Sequence, residues 1–273
     1  MHKVRVIPVL LLRNWGLEKS VRFDTPKYVG CPINAARVFN RHNVDELILL
    51  DIIATREGRG PQREVVREIA DESFMPFTVG GGINSVEMMW EMLQAGADRV
   101  VVNTAAIEHP ELITEGAERF GRQCMVVSID VHKNAAGRDE VHTHAGTRGT
   151  GLEPVETARR MEAAGAGEIF LTSIDRDGTM AGYDISLVRS VADAVRIPVI
   201  ACGGAGSVAH LAEAVYDGHA SAVAAGAFFL FYGRRRTVLI TYPKDEELIE
   251  HFRPEHIRPK DPETFIDMTS ARL

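Results

Sequence analysis

Short apolar runs alternate with longer amphipathic stretches along most of the chain, the pattern expected when parallel strands are each followed by a crossover helix. The first run, Val4 to Leu12, predicts a strand, and the polar stretch from Arg13 to Cys31 reads as a long loop. Pro32 suits the first turn of a helix that should run to about Arg41. A second strand is predicted from Glu46 to Asp51, a helix from about Gln62 to Glu72, and a third strand from Phe77 to Gly80. Ser85 should cap the next helix, because a serine oxygen can accept from the free amides of a first turn. Arg99 to Asn103 and Cys124 to Asp130 predict strands four and five, with a helix near Pro110 to Phe120 between them and a polar loop from Lys133 to Gly151 behind. A helix from Pro154 to Ala164, a strand from Glu168 to Ser173, a helix from Asp184 to Val195, a strand from Pro198 to Cys202, a helix capped by Ser207 and a strand from Ser221 to Ala225 complete eight strand-helix units. That count predicts an α/β fold, a (β/α)8 TIM barrel.

Related phrases recur at a separation of roughly 120 residues, far longer than a solenoid period. Glu46 to Asp51 returns as Glu168 to Ser173, Gly80-Gly81-Gly82 as Gly203-Gly204-Ala205, and Gly96-Ala97-Asp98 as Gly218-His219-Ala220. The barrel is therefore expected to be two half-barrel repeats over residues 1–233, with paired features across one mouth. Residues 234–273 read as a C-terminal extension packed on the barrel or trailing from it. Within it, Glu246 to Phe252 suggests a short helix, and Arg234-Arg235-Arg236 reads as a solvated turn or a docking surface.

The 273 residues, 45% of them hydrophobic, suffice for one large core. A formal net charge of -7 argues against a nucleic-acid binder, which needs a basic surface to neutralise phosphate. No apolar run approaches the roughly 20 residues that span a bilayer, so no membrane association is expected and the reading is a cytoplasmic protein. Cys31, Cys124 and Cys202 lack metal-ligand spacing, and the alternating His142 and His144 lack a third ligand. No metal and no cofactor is expected.

Two matched glycine turns between strand ends and helices bring backbone amides close to an anion. They predict paired anion sites, one near Gly82, Asn103 and Thr104, the other near Gly178, Gly204 and Gly226; the alternative is that these glycines only permit tight turns. Asp51, Asp130 and Asp175 stand where strands should open into the mouth, the place for a general acid or base, although each could equally serve as a cap. Arg5, Glu46, Arg99 and Glu168 begin strands one, two, four and six. Turned inward they would form a ring of ion pairs at the opposite end; the alternative is ordinary solvated strand ends. Trp15, in the first loop, either covers a ligand or packs locally.

From Val4 to about Phe231 the chain resembles the cyclase subunit of imidazole glycerol phosphate synthase. The phrases Leu50-Asp51-Ile52, Glu57-Gly58-Arg59, Thr78 to Ile83, Asn103-Thr104-Ala105, Ser128-Ile129-Asp130, Leu171 to Thr179 and Gly203 to Gly206 carry the resemblance. It implies a barrel that takes ammonia from a glutaminase subunit, as a heterodimer, and passes it along the axis to a phosphorylated small-molecule ligand. By the same resemblance Asp130 is a catalytic aspartate and Lys19 the lysine of a mobile loop. Gly82, Asn103 and Thr104 form one phosphate site; Asp177, Gly178, Gly204 and Gly226 form or flank the other, with glycine for serine at Gly226. Arg5, Glu46, Arg99 and Glu168 are the ammonia gate, with arginine for lysine at Arg99, and Asp98 docks the glutaminase.

The first strand departs from the family, reading Ile7-Pro8-Val9-Leu10-Leu11 where a second catalytic aspartate belongs. Leucine can neither give nor take a proton, so cyclase chemistry is in doubt; Cys31 also replaces an aspartate. Gly16 to Lys19, Pro26 to Gly30, Pro32 to Ala35 and Val238 to Pro243 resemble a paralogous branch tied to acetamidino-sugar formation in surface polysaccharide biosynthesis. That branch implies a further partner, a sugar amidotransferase. The first expectation is thus an ammonia-handling barrel that supports sugar amidation. The alternatives are an active cyclase lyase in histidine biosynthesis and a non-catalytic activator of a glutaminase.

Overall fold

A computed structural model of the chain describes residues 4–233 and 235–253. Eight parallel strands, Arg5–Arg13, Leu47–Asp51, Phe77–Gly80, Arg99–Val102, Met125–Lys133, Glu168–Ser173, Val199–Cys202 and Ala222–Ala225, pair in order. The eighth pairs with the first in the register Arg5↔Ala222, Val6↔Val223, which closes the barrel. Side chains alternate inward and outward along each strand. Ile7, Val9, Ile48, Val101, Val126, Phe170, Ile200, Cys202, Ala222 and Ala224 fill the inside. Their outward neighbours, such as Leu10, Leu47, Val100 and Val127, pack under the helices.

The helices form where the apolar period is helical. Pro32–Arg41 buries Pro32, Ala35, Ala36 and Phe39, one face of a helix, and ends at His42. Phe39 is wholly buried, and such a side chain stabilises by roughly 1.5–3 kcal/mol relative to exposure. The Ser85 side chain accepts from Met88 N and opens Val86–Gln94, while Ser207 accepts from His210 N and opens Val208–Tyr216.

Those two caps mark the repeat. At the offset that separates Ser85 from Ser207, Gly81 and Gly203 both adopt positive φ, 110° and 89°, and each lies against the backbone where the preceding strand ends, at Asp51 and Ser173. Gly82 and Gly204 are likewise matched, so the glycine turns align one place later than the sequence phrases suggest.

Two predicted loops are instead hairpins. The chain after the first strand folds back as Gly16–Lys19 and Lys27–Gly30, pairing Leu11 with Glu18 and Lys19 with Lys27. Buried Leu17, Lys19 and Val29 give it a two-residue period that the charged side chains between them hide. The fifth strand runs on to Lys133 and returns as Asp139–Thr143; the Asn134 side chain accepts from Ala136 N and Arg138 N, and Gly137 turns with φ 74°. Two short helices, Thr104–Glu108 and Ala227–Leu230, were also not apparent from the pattern.

Past the eighth strand, Tyr242 donates its hydroxyl to Val6 O at 3.1 Å, and Asp245–His251 buries Leu248 against the core. Arg234 and the second half of the expected extension, residues 254–273, lie outside the described residues.

Candidate active site and axial ring

A cavity of about 730 Å³ opens at the carboxyl ends of the strands. Val9, Leu50, Val101 and Phe170 form its apolar floor, and Asp130 stands in its wall. Asp130 closes the inward-facing series Val126, Ser128, Asp130 of the fifth strand and is 9% exposed. Burial pushes its carboxyl up to about 7, the negative charge of Asp177 adding to the effect and the Ser128 and Thr172 hydroxyls working against it. The Ser128 hydroxyl donates to Asp130 Oδ1 at 3.1 Å. A carboxyl held near 7 presents both its acid and its base form at neutral pH, which suits proton transfer.

Leu11 lines the same cavity, following Ile7 and Val9 on the inner face of the first strand. No carboxylate among the described residues of that strand faces the cavity. Asp51 lines it but is engaged: Arg59 Nη1 lies 2.6 Å from Asp51 Oδ2, and Ile53 N and Ala54 N donate to Oδ1. It clasps the loop after the second strand. Asp175 is not in the cavity wall; it accepts from Lys133 N at 2.9 Å and pairs with His132 Nδ1 at 2.9 Å. Of the two readings open for Asp51 and Asp175, the contacts match the capping one: both carboxylates are engaged by the loops they hold.

Gly82, Asn103 and Thr104 come together at one side of the cavity. Gly82 has φ 71°, and a Cβ there would collide with the carbonyl oxygen of Arg59, so the position admits only glycine. Asn103 Nδ2 donates to Ser128 O at 3.1 Å, and Thr104 Oγ1 accepts from His144 N at 3.0 Å. His144, read in the sequence only as one of an alternating pair, and Thr172, which the sequence did not single out, also line the cavity.

Across the mouth Asp177 and Gly226 line the cavity, while Gly178 and Gly204 lie behind it against backbone. A Cβ on Gly178 would collide with Ser20 O of the first hairpin, and one on Gly204 with Gly182 O. Lys19 from that hairpin is buried, with Nζ 2.5 Å from Asp177 Oδ2. A Cβ at Gly226 would meet Lys19 Cε at 3.1 Å, so glycine at this place leaves room for the lysine stem.

At the amino ends of the strands the four expected charges close a ring. Arg5 bridges Glu46, with Nη1 2.6 Å from Oε2, and Glu168; Arg99 bridges the same pair at 2.5 Å and 2.6 Å. Burial works against the Arg5 charge, but Glu168 and then Glu46 outweigh it and raise the guanidinium further. Thr78, which the sequence did not single out, donates its hydroxyl to Glu46 Oε1 at 2.7 Å. Solvated, independent strand ends are excluded by this geometry. Asp98 stands exposed at the same end, its Oδ2 accepting from Phe77 N at 2.8 Å. Ring, apolar interior and cavity thus follow one another along the barrel axis.

His142 and His144 diverge: His142 Nδ1 lies 3.0 Å from Gly146 O, whereas His144 faces the cavity. Trp15 is 61% exposed and so covers nothing in this state. Among the described residues no helix is long and apolar enough to cross a membrane.

The family described as "Histidine biosynthesis protein" matches residues 5–234. The chain is 49% identical over 248 residues to a protein of Pseudomonas aeruginosa named "Putative imidazole glycerol phosphate synthase subunit hisF2", the match covering 91% of this chain and 99% of that relative. With the closed barrel, the axial ring and the paired glycine turns in place, these matches establish that the chain belongs to the histidine biosynthesis protein family, among its imidazole glycerol phosphate synthase barrel subunits.

Proposed function

We propose that this chain is an ammonia-conveying barrel subunit. It receives ammonia from a glutaminase bound at the ringed end and supports amidation of a sugar, forming an acetamidino group for surface polysaccharide. One observation carries the reading: the Arg5–Glu46–Arg99–Glu168 ring closes one end of the barrel axis and the cavity opens at the other, and that cavity holds Asp130 with Leu11 in the place of a second carboxylate. Cyclisation needs both acid and base duties, and loss of a general acid or base typically costs about 10²- to 10⁴-fold.

In this reading the ring excludes water and ions from the axis, and the apolar interior favours neutral ammonia over ammonium, since burying an unpaired charge is costly. Gly82, Asn103 and Thr104 hold one anionic group of a phosphorylated ligand. Asp177 and Gly226 line the second site and Gly178 and Gly204 flank it from behind, under the Lys19 hairpin. Asp98 belongs to the glutaminase contact.

A second reading, an active cyclase of histidine biosynthesis, is favoured by the family and by the name of the relative. Complementation of a histidine auxotroph lacking its own cyclase separates the two. No growth is expected without histidine; growth would overturn the sugar reading. Glutaminase turnover, measured with and without this chain, tests the conveying role: stimulation is expected. Stimulation without an amidated product from any amidotransferase partner would leave only an activator of the glutaminase.

A further inference from the structure

Exposed apolar side chains are concentrated on one rim of this barrel. Trp15, Val21 and Tyr28 stand on or beside the first hairpin, and Tyr232, Val238 and Leu239 on or next to a second, small hairpin formed by Phe231–Tyr232 and Thr237–Val238. Elsewhere such side chains are scattered; Trp90, for instance, is stacked on Phe120. Single exposed apolar residues need no explanation, but a cluster marks a contact surface.

Both hairpins are fastened to one turn, the residues that follow the sixth strand. Arg22 N donates to Asp177 O at 2.9 Å, and Arg236 Nη2 donates to Thr179 O at 3.1 Å. This turn borders the cavity, because Asp177 lines it. The same rim is cationic in a chain of formal net charge -7: Arg22, Lys27, Arg176 and Arg235 are exposed. Of the neighbouring acids, Asp177 is buried against Lys19 and Asp175 is half-buried and accepts from Lys133 N, which leaves Asp24 exposed beside the first hairpin.

Ammonia that leaves the cavity for water at neutral pH is mostly protonated and no longer a nucleophile. A site that cannot itself consume ammonia therefore needs its consumer seated over the mouth, where closure keeps water out. We propose that the rim around residues 175–179, with the two hairpins fastened to it and their exposed Val21, Tyr232 and Val238, is the docking surface for the ammonia-consuming enzyme. That partner presents an apolar contact bordered by acidic side chains, complementary to the cationic rim. The proposal rests on the ammonia-conveying reading above.

The test uses the full chain with its glutaminase and the sugar amidotransferase, comparing wild type with Tyr232→Asp and Arg176→Glu. Sedimentation should show amidotransferase binding weakened about tenfold or more in each variant, as for residues at the centre of an interface. Glutamine-driven amidation should fall in parallel. Glutaminase stimulation, and amidation driven by added ammonium chloride, should be unchanged. Undisturbed assembly in both variants, with glutaminase stimulation intact, overturns the surface and spares the conveying role. If wild type itself fails to stimulate the glutaminase, the conveying role falls and the surface with it. Self-association of the chain, or binding to anionic lipid vesicles, that is lost in the same variants while the amidotransferase stays bound assigns the rim to another occupant and overturns the proposal.

Discussion

Lys19 of the first hairpin and Asp177 of the turn after the sixth strand form a buried ion pair, Nζ to Oδ2 2.5 Å, with side chains 3% and 8% exposed. Residues 158 apart in the chain are thereby locked across the mouth. Removing one partner of a buried pair strands the other charge, at a cost of about 3–5 kcal/mol. Lys19→Met is therefore expected to destabilise strongly in chemical denaturation, and Lys19→Met with Asp177→Asn to recover much of that loss. Equal destabilisation in the single and double variants would show that packing, not the uncompensated carboxylate, sets the cost.

Asp130 should leave its mark on the pH dependence of stability. Its carboxyl lies near 7 in the folded chain, against an ordinary value of 3.8, chiefly because it is buried. The folded state thus binds the proton more tightly than the unfolded state, so stability is fully present below about 4 and declines as pH rises towards 7. A tenfold difference in proton affinity is worth roughly 1.4 kcal/mol, which puts the whole decline on the order of 4 kcal/mol. Asp130→Asn is expected to flatten that decline, gaining stability relative to wild type at pH 8 and not at pH 4. Identical pH profiles in thermal melts would show that the buried carboxyl responsible is not this one.

Much of this architecture is legible in the chain because the barrel interior demands what the chain displays. An inward carboxylate after Met125 to Ile129 must reach the mouth, and a charge on an inward position at the start of an apolar strand, as at Glu46 and Glu168, must find a partner in the axis. The first hairpin is not legible, because Glu18 and Lys19 read as solvent-facing charge; only the tertiary partner, Asp177, makes Lys19 a buried residue. The occupation of Asp51 and Asp175 is hidden for the same reason. A carboxylate at a strand end looks alike whether it faces a cavity or grips Arg59 or His132, and the deciding contacts are made by loops without periodic pattern.

Arg99 reaches both Glu46 and Glu168, a double bridge that a lysine ammonium, a single point charge, matches poorly. Arg99→Leu leaves two buried carboxylates sharing Arg5 and is expected to cost about 3–5 kcal/mol. Arg99→Lys should cost less in stability but loosen the ring. A fluorescent or hydrogen-exchange probe of strand four should register that loosening, and identical exchange in the lysine variant would show that the second bridge contributes nothing.

Leu11 offers the most direct test of what the cavity can do. It continues the inward series of the first strand and shares the cavity with Asp130, so Leu11→Asp places a second carboxylate on the opposite side of the same pocket. Two carboxyls in one site hold their protons unequally, one being pushed up by the charge of the other, which separates an acid from a base. The glycine turn at Gly82 and the Asn103 and Thr104 side chains are already in place. Leu11→Asp is therefore expected to raise cyclase turnover by about 10²- to 10⁴-fold over wild type and to allow a cyclase-deficient histidine auxotroph to grow. The cost is some stability, since a buried carboxyl replaces an apolar contact on the inner face. If wild type already turns over as fast as the aspartate variant, the leucine is no barrier and the chain is a cyclase in its own right. If the variant folds, binds a bis-phosphate ligand and still does not turn over, the missing proton carrier is not the only loss, and the Lys19 hairpin, closed over the second site, is the next element to release.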